Sequence, residues 1–209
     1  MTRTKAKRKP SRMSAFKGDP KLKAFYLSRV RKHAKADEIA QGVGYKKNGK
    51  LQTCCIGCLA EEYPAHAKLA AEWDAPEELF RLADSIHEGL PLADAKLWPK
   101  RFTSAITVGA DLSMVWPKFA LWMLADETNG VIRFAGDDAK VRDAILSVAT
   151  LYREWIDSGV KPSEARWSAA AAAARWSAAA AARWSAAAAA AAAAWKAMAD
   201  KLTELLAQA

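Results

Sequence analysis

Three thiols are crowded into Thr53-Cys-Cys-Ile-Gly-Cys58, and His66 follows eight residues after the last of them. Cys55-x-x-Cys58 has the spacing of a zinc knuckle, in which thiolate and imidazole donors build a tetrahedron. His66 is then a third ligand, and His33 or His87 completes the set. The sequence holds no second Cys-x-x-Cys, so every further donor must come from a distance. A second chemistry is nucleophilic. A Cys58 thiolate at a helix N-terminus would be stabilised by the dipole, with His66 as base and Asp84 or Glu88 as its orienter. Asp84 and Glu88 stand four apart, which puts them on one helical face with His87 alongside. A third reading makes no bond. N–H groups in the turn at Gly57 and Cys58 can accept a phosphate while Tyr45, Trp73 or Trp98 stacks a base. The ligand-binding set is then Cys54, Gly57, Cys58, His66, Asp84, Glu88 and Trp98. Against all three stands plain packing, with small buried thiols around a tight Gly57 turn. There is no Walker loop, dinucleotide glycine pattern, zinc-protease helix motif or nucleophile elbow in the chain.

The elements that would position these residues are mainly helical. Asp19-Pro20 opens a helix with Phe25, Tyr26, Val30, His33 and Ala34 at helical spacing and a basic opposite face. Gly42 and Gly44 end it. Asn48-Gly49 between alternating residues signals a hairpin near 43–55, the one clear β element. Cys58 begins a helical stretch that Pro64 breaks and that resumes to Trp73. Asp74-Ala-Pro-Glu77 reads as a capping-box-like start for a helix burying Leu79, Leu82, Ala83 and Ile86, which stops at Gly89. Short helical pieces are expected at Ala93–Trp98 and Pro99–Ile106. An apolar helix after Asp111 carries Trp116 and Trp122. Asn129-Gly130 and Gly136 mark a turn or small strand pair. Asp137 or Asp138 then caps an amphipathic helix that Gly159 terminates.

From Glu164 to Ala207 three Arg-Trp-Ser units are set in alanine, the best helix former. One helix of about 44 residues would span roughly 66 Å, too long to lie wholly against a domain of this size. Trp167 is the outlier on a wheel where Trp176, Trp184, Trp195, Met198, Leu202, Leu205 and Leu206 share one face. The Trp spacings keep no heptad, so a regular coiled coil is not expected. That face either packs on the preceding helices or serves self-association through Trp167, Trp176, Trp184, Trp195 and Leu202. Trp beside Lys and Arg is also an interfacial signature, but the polar face is thin in cations. Arg175 and Arg183 would lie in the hydrocarbon of any membrane span, so no membrane partner is expected.

The 209 residues carry a net charge of +9, and residues 1–18 contribute +7 of it without a single acid. This segment, with Arg3, Lys5, Lys7, Arg8 and Lys9, reads as a disordered tail able to neutralise phosphates without reading sequence. It lacks the apolar stretch of a secretory signal. An odd, clustered set of three cysteines speaks against a disulfide scaffold and for a reducing, cytoplasmic setting. The expected organisation is a basic tail over 1–18, a helical domain over 19–160 and a long helix over 161–209. The fold class is mainly α: a compact helical domain with one small β-hairpin, followed by a long alanine-rich C-terminal helix.

Cys-x-Ile-Gly-Cys58, His66, Leu82-Ala-Asp84-x-Ile86-x-Glu88-Gly-Leu90-Pro, Ala95-Lys-x-Trp98-Pro, Phe102-x-x-Ala-Ile106 and Gly109-Ala-Asp111-Leu occur in this order. With the Trp-Ser-Ala-Ala repeats, the chain over residues 20–209 resembles a family of uncharacterised phage and bacterial proteins. In that pattern Cys54 and Cys58 match and Cys55 does not, which leaves Cys54, Cys58 and His66 as the metal candidates. The resemblance implies a phage or mobile-element setting, host cytoplasm included, and an anti-defence role, but no activity that transfers to particular residues. The function expected first is a self-associating binding protein that sequesters a nucleotide-like anionic ligand or a host factor, with no cofactor beyond an occasional zinc. The alternatives are a nucleic-acid-binding accessory protein acting through the basic tail, and a Cys/His-dependent enzyme.

Overall fold

The computed structural model describes residues 12–174 and 192–209. Asp19 caps α1 (Pro20–Lys35) by accepting the Lys21 N–H at 2.8 Å, and Pro20 occupies the first turn, where no N–H is needed. Strands β1 (Tyr45–Asn48) and β2 (Lys50–Thr53) pair antiparallel with Tyr45 opposite Thr53. Gly49 turns between them at a φ of 79°, a left-handed conformation that favours glycine. Helix α2 (Cys55–Ala60) begins three residues earlier than the sequence signals imply. Its cap is Cys54, whose sulfur accepts the Gly57 N–H at 3.4 Å. Cysteine is not a usual cap, which is why the start was hidden.

Helices α3 (His66–Trp73) and α4 (Glu77–Gly89) follow. The capping box expected at Asp74 is absent. Asp74 instead closes α3 in the left-handed region, and its carboxylate accepts the Ser14 N–H at 2.9 Å. Helix α5 (Leu92–Ala105) runs straight through Pro99, where two pieces were expected. Burial of Ala95, Trp98, Phe102 and Thr103 on one side outweighs the hydrogen bond that a proline removes. Asp111 caps a short 3-10 turn leading into α6 (Val115–Ala125). No strand pair forms at Gly130 or Gly136; a 3-10 turn over Val131–Phe134 stands there. Helix α7 (Ala139–Ser158) is bounded as its sequence predicts, by Asp138 accepting two N–H groups and by Gly159 at a φ of 68°. Helices α8 (Glu164–Ala174) and α9 (Ala192–Ala207) complete the set. Among the described residues there are nine α-helices and one two-stranded sheet, so the chain is mainly α with a single hairpin.

One apolar cluster joins α1 to α6 with α9, around Phe16, Tyr26, Trp73, Phe80, Trp98 and Phe102. Helix α9 lies against α4, α5 and α6, and Ala199, Leu202 and Leu206 are fully buried in that cluster. The C-terminal helix is therefore part of the body's core and not an appendage to it. Trp195 presses on α4 where Gly89 leaves room for it; a Cβ there would lie 2.1 Å from the indole. Helix α8 packs on α7, with Trp167 against Tyr152. Trp167, Trp195 and Leu202, expected as self-association residues, thus spend much or all of their surface inside the chain. Trp176, Trp184 and the continuity of the 44-residue helix lie outside the described residues.

Candidate functional site

The three cysteines lie where β2 hands over to α2, and all three are buried. Cys58 is not at a helix N-terminus but inside α2. Burial pushes the Cys54 thiol up to about 12, with the neighbouring Asp84 carboxylate adding to the effect. Burial likewise holds Cys55 and Cys58 well above the ordinary thiol range. The dipole expected to activate Cys58 is outweighed by desolvation, so these thiols are packing groups held in the protonated form.

Of the other expected residues, His66 and Asp84 do meet. His66 Nε2–H donates to Asp84 Oδ2 at 3.1 Å, and the Tyr63 hydroxyl donates to the same oxygen at 3.2 Å. Asp84 is 8% exposed, and its Oδ1 has no partner among the described residues. The Tyr63 phenol is held above its usual value first by the Asp84 charge and then by burial. Tyr63 escaped sequence reading because nothing in its spacing ties it to α4. Asp84→Ala leaves the buried His66 ring nitrogen without its partner, while the Tyr63 hydroxyl, on a residue 47% exposed, can turn to water; the cost is expected to be about 1–3 kcal/mol of stability in urea denaturation.

Glu88 is drawn elsewhere. Its carboxylate accepts the Gly42 N–H at 2.7 Å, while the Gln41 amide reaches the carbonyls of His87 and Leu90, clamping the loop after α1 over the end of α4. Trp98 is in the core, with its indole N–H donating to Ala83 O at 2.8 Å, and Trp73 is fully buried. Neither ring is open to stack a base. The Gly57 N–H, expected to receive a phosphate, is taken by Cys54 sulfur. Two carboxylates, Asp84 and Glu88, stand where an anion would need cations.

His33 Nδ1 lies 2.7 Å from Glu38 Oε2, and His87 Nε2 donates to Ala40 O at 3.1 Å. No group of three or more His, Cys, Asp or Glu side chains among the described residues is arranged to hold a metal ion, and Cys54, Cys58 and His66 form none. No described helix is long and apolar enough to cross a membrane.

The other organised surface is the outer face of α1. Lys21, Arg31, Lys32 and Lys35 are exposed there, and the helix holds no acid. Phe25, 49% exposed, stands among them with the Arg29 guanidinium 4.4 Å from its ring centre. Arg29 and Lys32 are partly neutralised by Glu61, and Lys50 and Lys96 by Asp37. Arg31 and Lys35 have no acidic partner among the described residues. Compared with known protein families, with curated proteins and with solved structures, the chain finds no match in any of the three.

Proposed function

We propose that this chain is a nucleic-acid-binding accessory protein that grips the phosphate backbone through its first 35 residues. The observation that carries this is charge segregation. Residues 1–35 hold thirteen Lys and Arg against one Asp, leaving 19 Lys and Arg against 22 Asp and Glu in all the rest. Helix α1 continues the basic segment with solvent-facing cations spread over about 21 Å of helix. Cations in such a row release counterions from a nucleic acid without reading its bases.

The test is fluorescence anisotropy of labelled single-stranded and duplex DNA across a salt series. Affinity is expected to fall by about 10³-fold between 50 and 200 mM salt if some six phosphates are contacted. Arg31→Ala with Lys35→Ala should weaken binding and lower the slope of log affinity against log salt by roughly 2. Salt-independent binding, or an unchanged slope in the double variant, overturns the proposal. A phage or accessory-gene setting and an anti-defence role belong to the same proposal and rest on the motif resemblance. A cytoplasmic location rests on the three unpaired cysteines, and self-association on the tryptophans outside the described residues.

A further inference from the structure

A cleft lies between the start of α4, the start of α6 and the end of α7, far in character from the basic face of α1. It encloses about 690 Å³, and a side chamber of about 140 Å³ shares Glu78, Trp116, Trp155 and Lys161 with it. The main volume is that of a small-molecule site. Its walls are aromatic and half-buried. Trp116 and Trp155 line the main space, and Tyr152 and Trp167 line the side chamber. Tyr152 stacks on Trp155 at 15° with ring centres 6.3 Å apart and meets the Trp167 ring at 4.8 Å. The Trp167 indole N–H is tied to Pro162 O at 3.1 Å, so these rings are held before anything binds.

The charges around the cleft are unequal. Asp111 is engaged by Arg12 and Glu77 by Arg81, but Glu78 has no ion-pair partner among the described residues. Its charge reaches into the chamber: the Tyr152 phenol is raised by burial, and by Glu78 in addition, against the opposing effect of the Trp116 indole. One cation already rests on the wall. Lys161 Nζ stands 5.7 Å from the Trp155 ring centre, steadied by Glu164 at 3.9 Å. Aromatic faces attract ammonium groups through their quadrupoles, and more strongly when water is excluded.

We propose that this cleft is a binding site for an organic ammonium ion, in which Trp116 and Trp155 face the cation, Glu78 balances its charge, and Lys161 is the resident cation that the ligand displaces. The site is independent of the nucleic-acid reading and stands or falls without it. An anionic ligand would meet Glu78 unpaired and would need Lys161 to stay. The two possibilities give opposite signs on removal of that one side chain.

The test is a titration of the full chain with choline, followed by tryptophan fluorescence, beside its uncharged carbon isostere dimethylbutanol. Choline is expected to saturate the signal, with the isostere binding about tenfold more weakly. Lys161→Met, at a half-exposed position where folding is not at stake, should tighten choline about fivefold by clearing the wall and removing a like charge. Trp155→Leu should abolish the response, with thermal melting confirming that the variant is folded. No saturable response to choline, equal binding of the isostere, or weaker choline binding by Lys161→Met overturns the proposal. Saturation by a nucleoside monophosphate in place of choline overturns it as well.

Discussion

Leu202→Ala is expected to lower the free energy of unfolding by about 3–5 kcal/mol in urea denaturation. Leu202 is 0% exposed in the middle of α9, between Ala199 and Leu206, which are equally buried, and it faces the cluster built from α4, α5 and α6. Truncation there removes the transfer energy of the side chain and leaves a cavity that three already packed helices cannot close. The control is Leu97→Ala on α5, 65% exposed, which should change stability by no more than about 0.5 kcal/mol. A cost below about 1 kcal/mol at Leu202 would mean that α9 is not docked in solution and is free to serve another chain. The comparison thus separates internal packing from self-association at the one described stretch where the two compete most directly.

The second large effect concerns the thiols. Native protein is expected to resist iodoacetamide at pH 8 at all three cysteines and to take up three equivalents once unfolded. With Cys54 near 12, only about one thiol in 10⁴ is ionised at that pH, against about a quarter for an ordinary cysteine. Its modification should be slower by about 10³-fold, before exclusion of the reagent by burial is counted. The sign of the linked stability follows from the same shift. Folded-state values above the unfolded ones stabilise the fold fully below the unfolded thiol value of about 8.5, and that contribution is lost as pH rises towards the folded values. Urea midpoints should therefore decline from about pH 9 upward. Rapid labelling of Cys58 at pH 8 would mean that its thiolate is accessible and favour a nucleophile with His66 as its base.

Much of the architecture was legible because it rests on local chemistry. Asp19 with Pro20, Asp138 and Gly159 mark helix ends through hydrogen bonds and backbone freedom that depend on a few neighbouring residues. Asn48-Gly49 marks the hairpin in the same way. The misreadings share one cause. Pro99 reads as a break until Trp98 and Phe102 are seen buried on either side of it, and Asp74 reads as a cap until Ser14 reaches it from the other end of the domain. Cys54 reads as a ligand until it is found capping α2.

The candidate site was legible only as a set of residue types. Spacing placed Asp84 and Glu88 on one helical face as alternative partners for His66, and only the structure shows that Asp84 meets it while Glu88 turns to Gly42. Tyr63, which shares the Asp84 carboxylate, carried no signal. Trp116 reads only as part of an apolar helix, because periodicity reports which face is apolar and says nothing of whether another element covers it.

By itself, then, the sequence determined the helical class, the hairpin, most helix ends and the segregation of positive charge into the first 35 residues. These follow from propensity, capping and composition, which act over a turn or two of chain. The tertiary structure alone decided that the thiols are packing groups, that α9 belongs to the core and that four aromatic rings border an open cleft. Desolvation, cavity shape and charge pairing are set by residues brought together from distant parts of the chain, and no local pattern encodes which of them will meet.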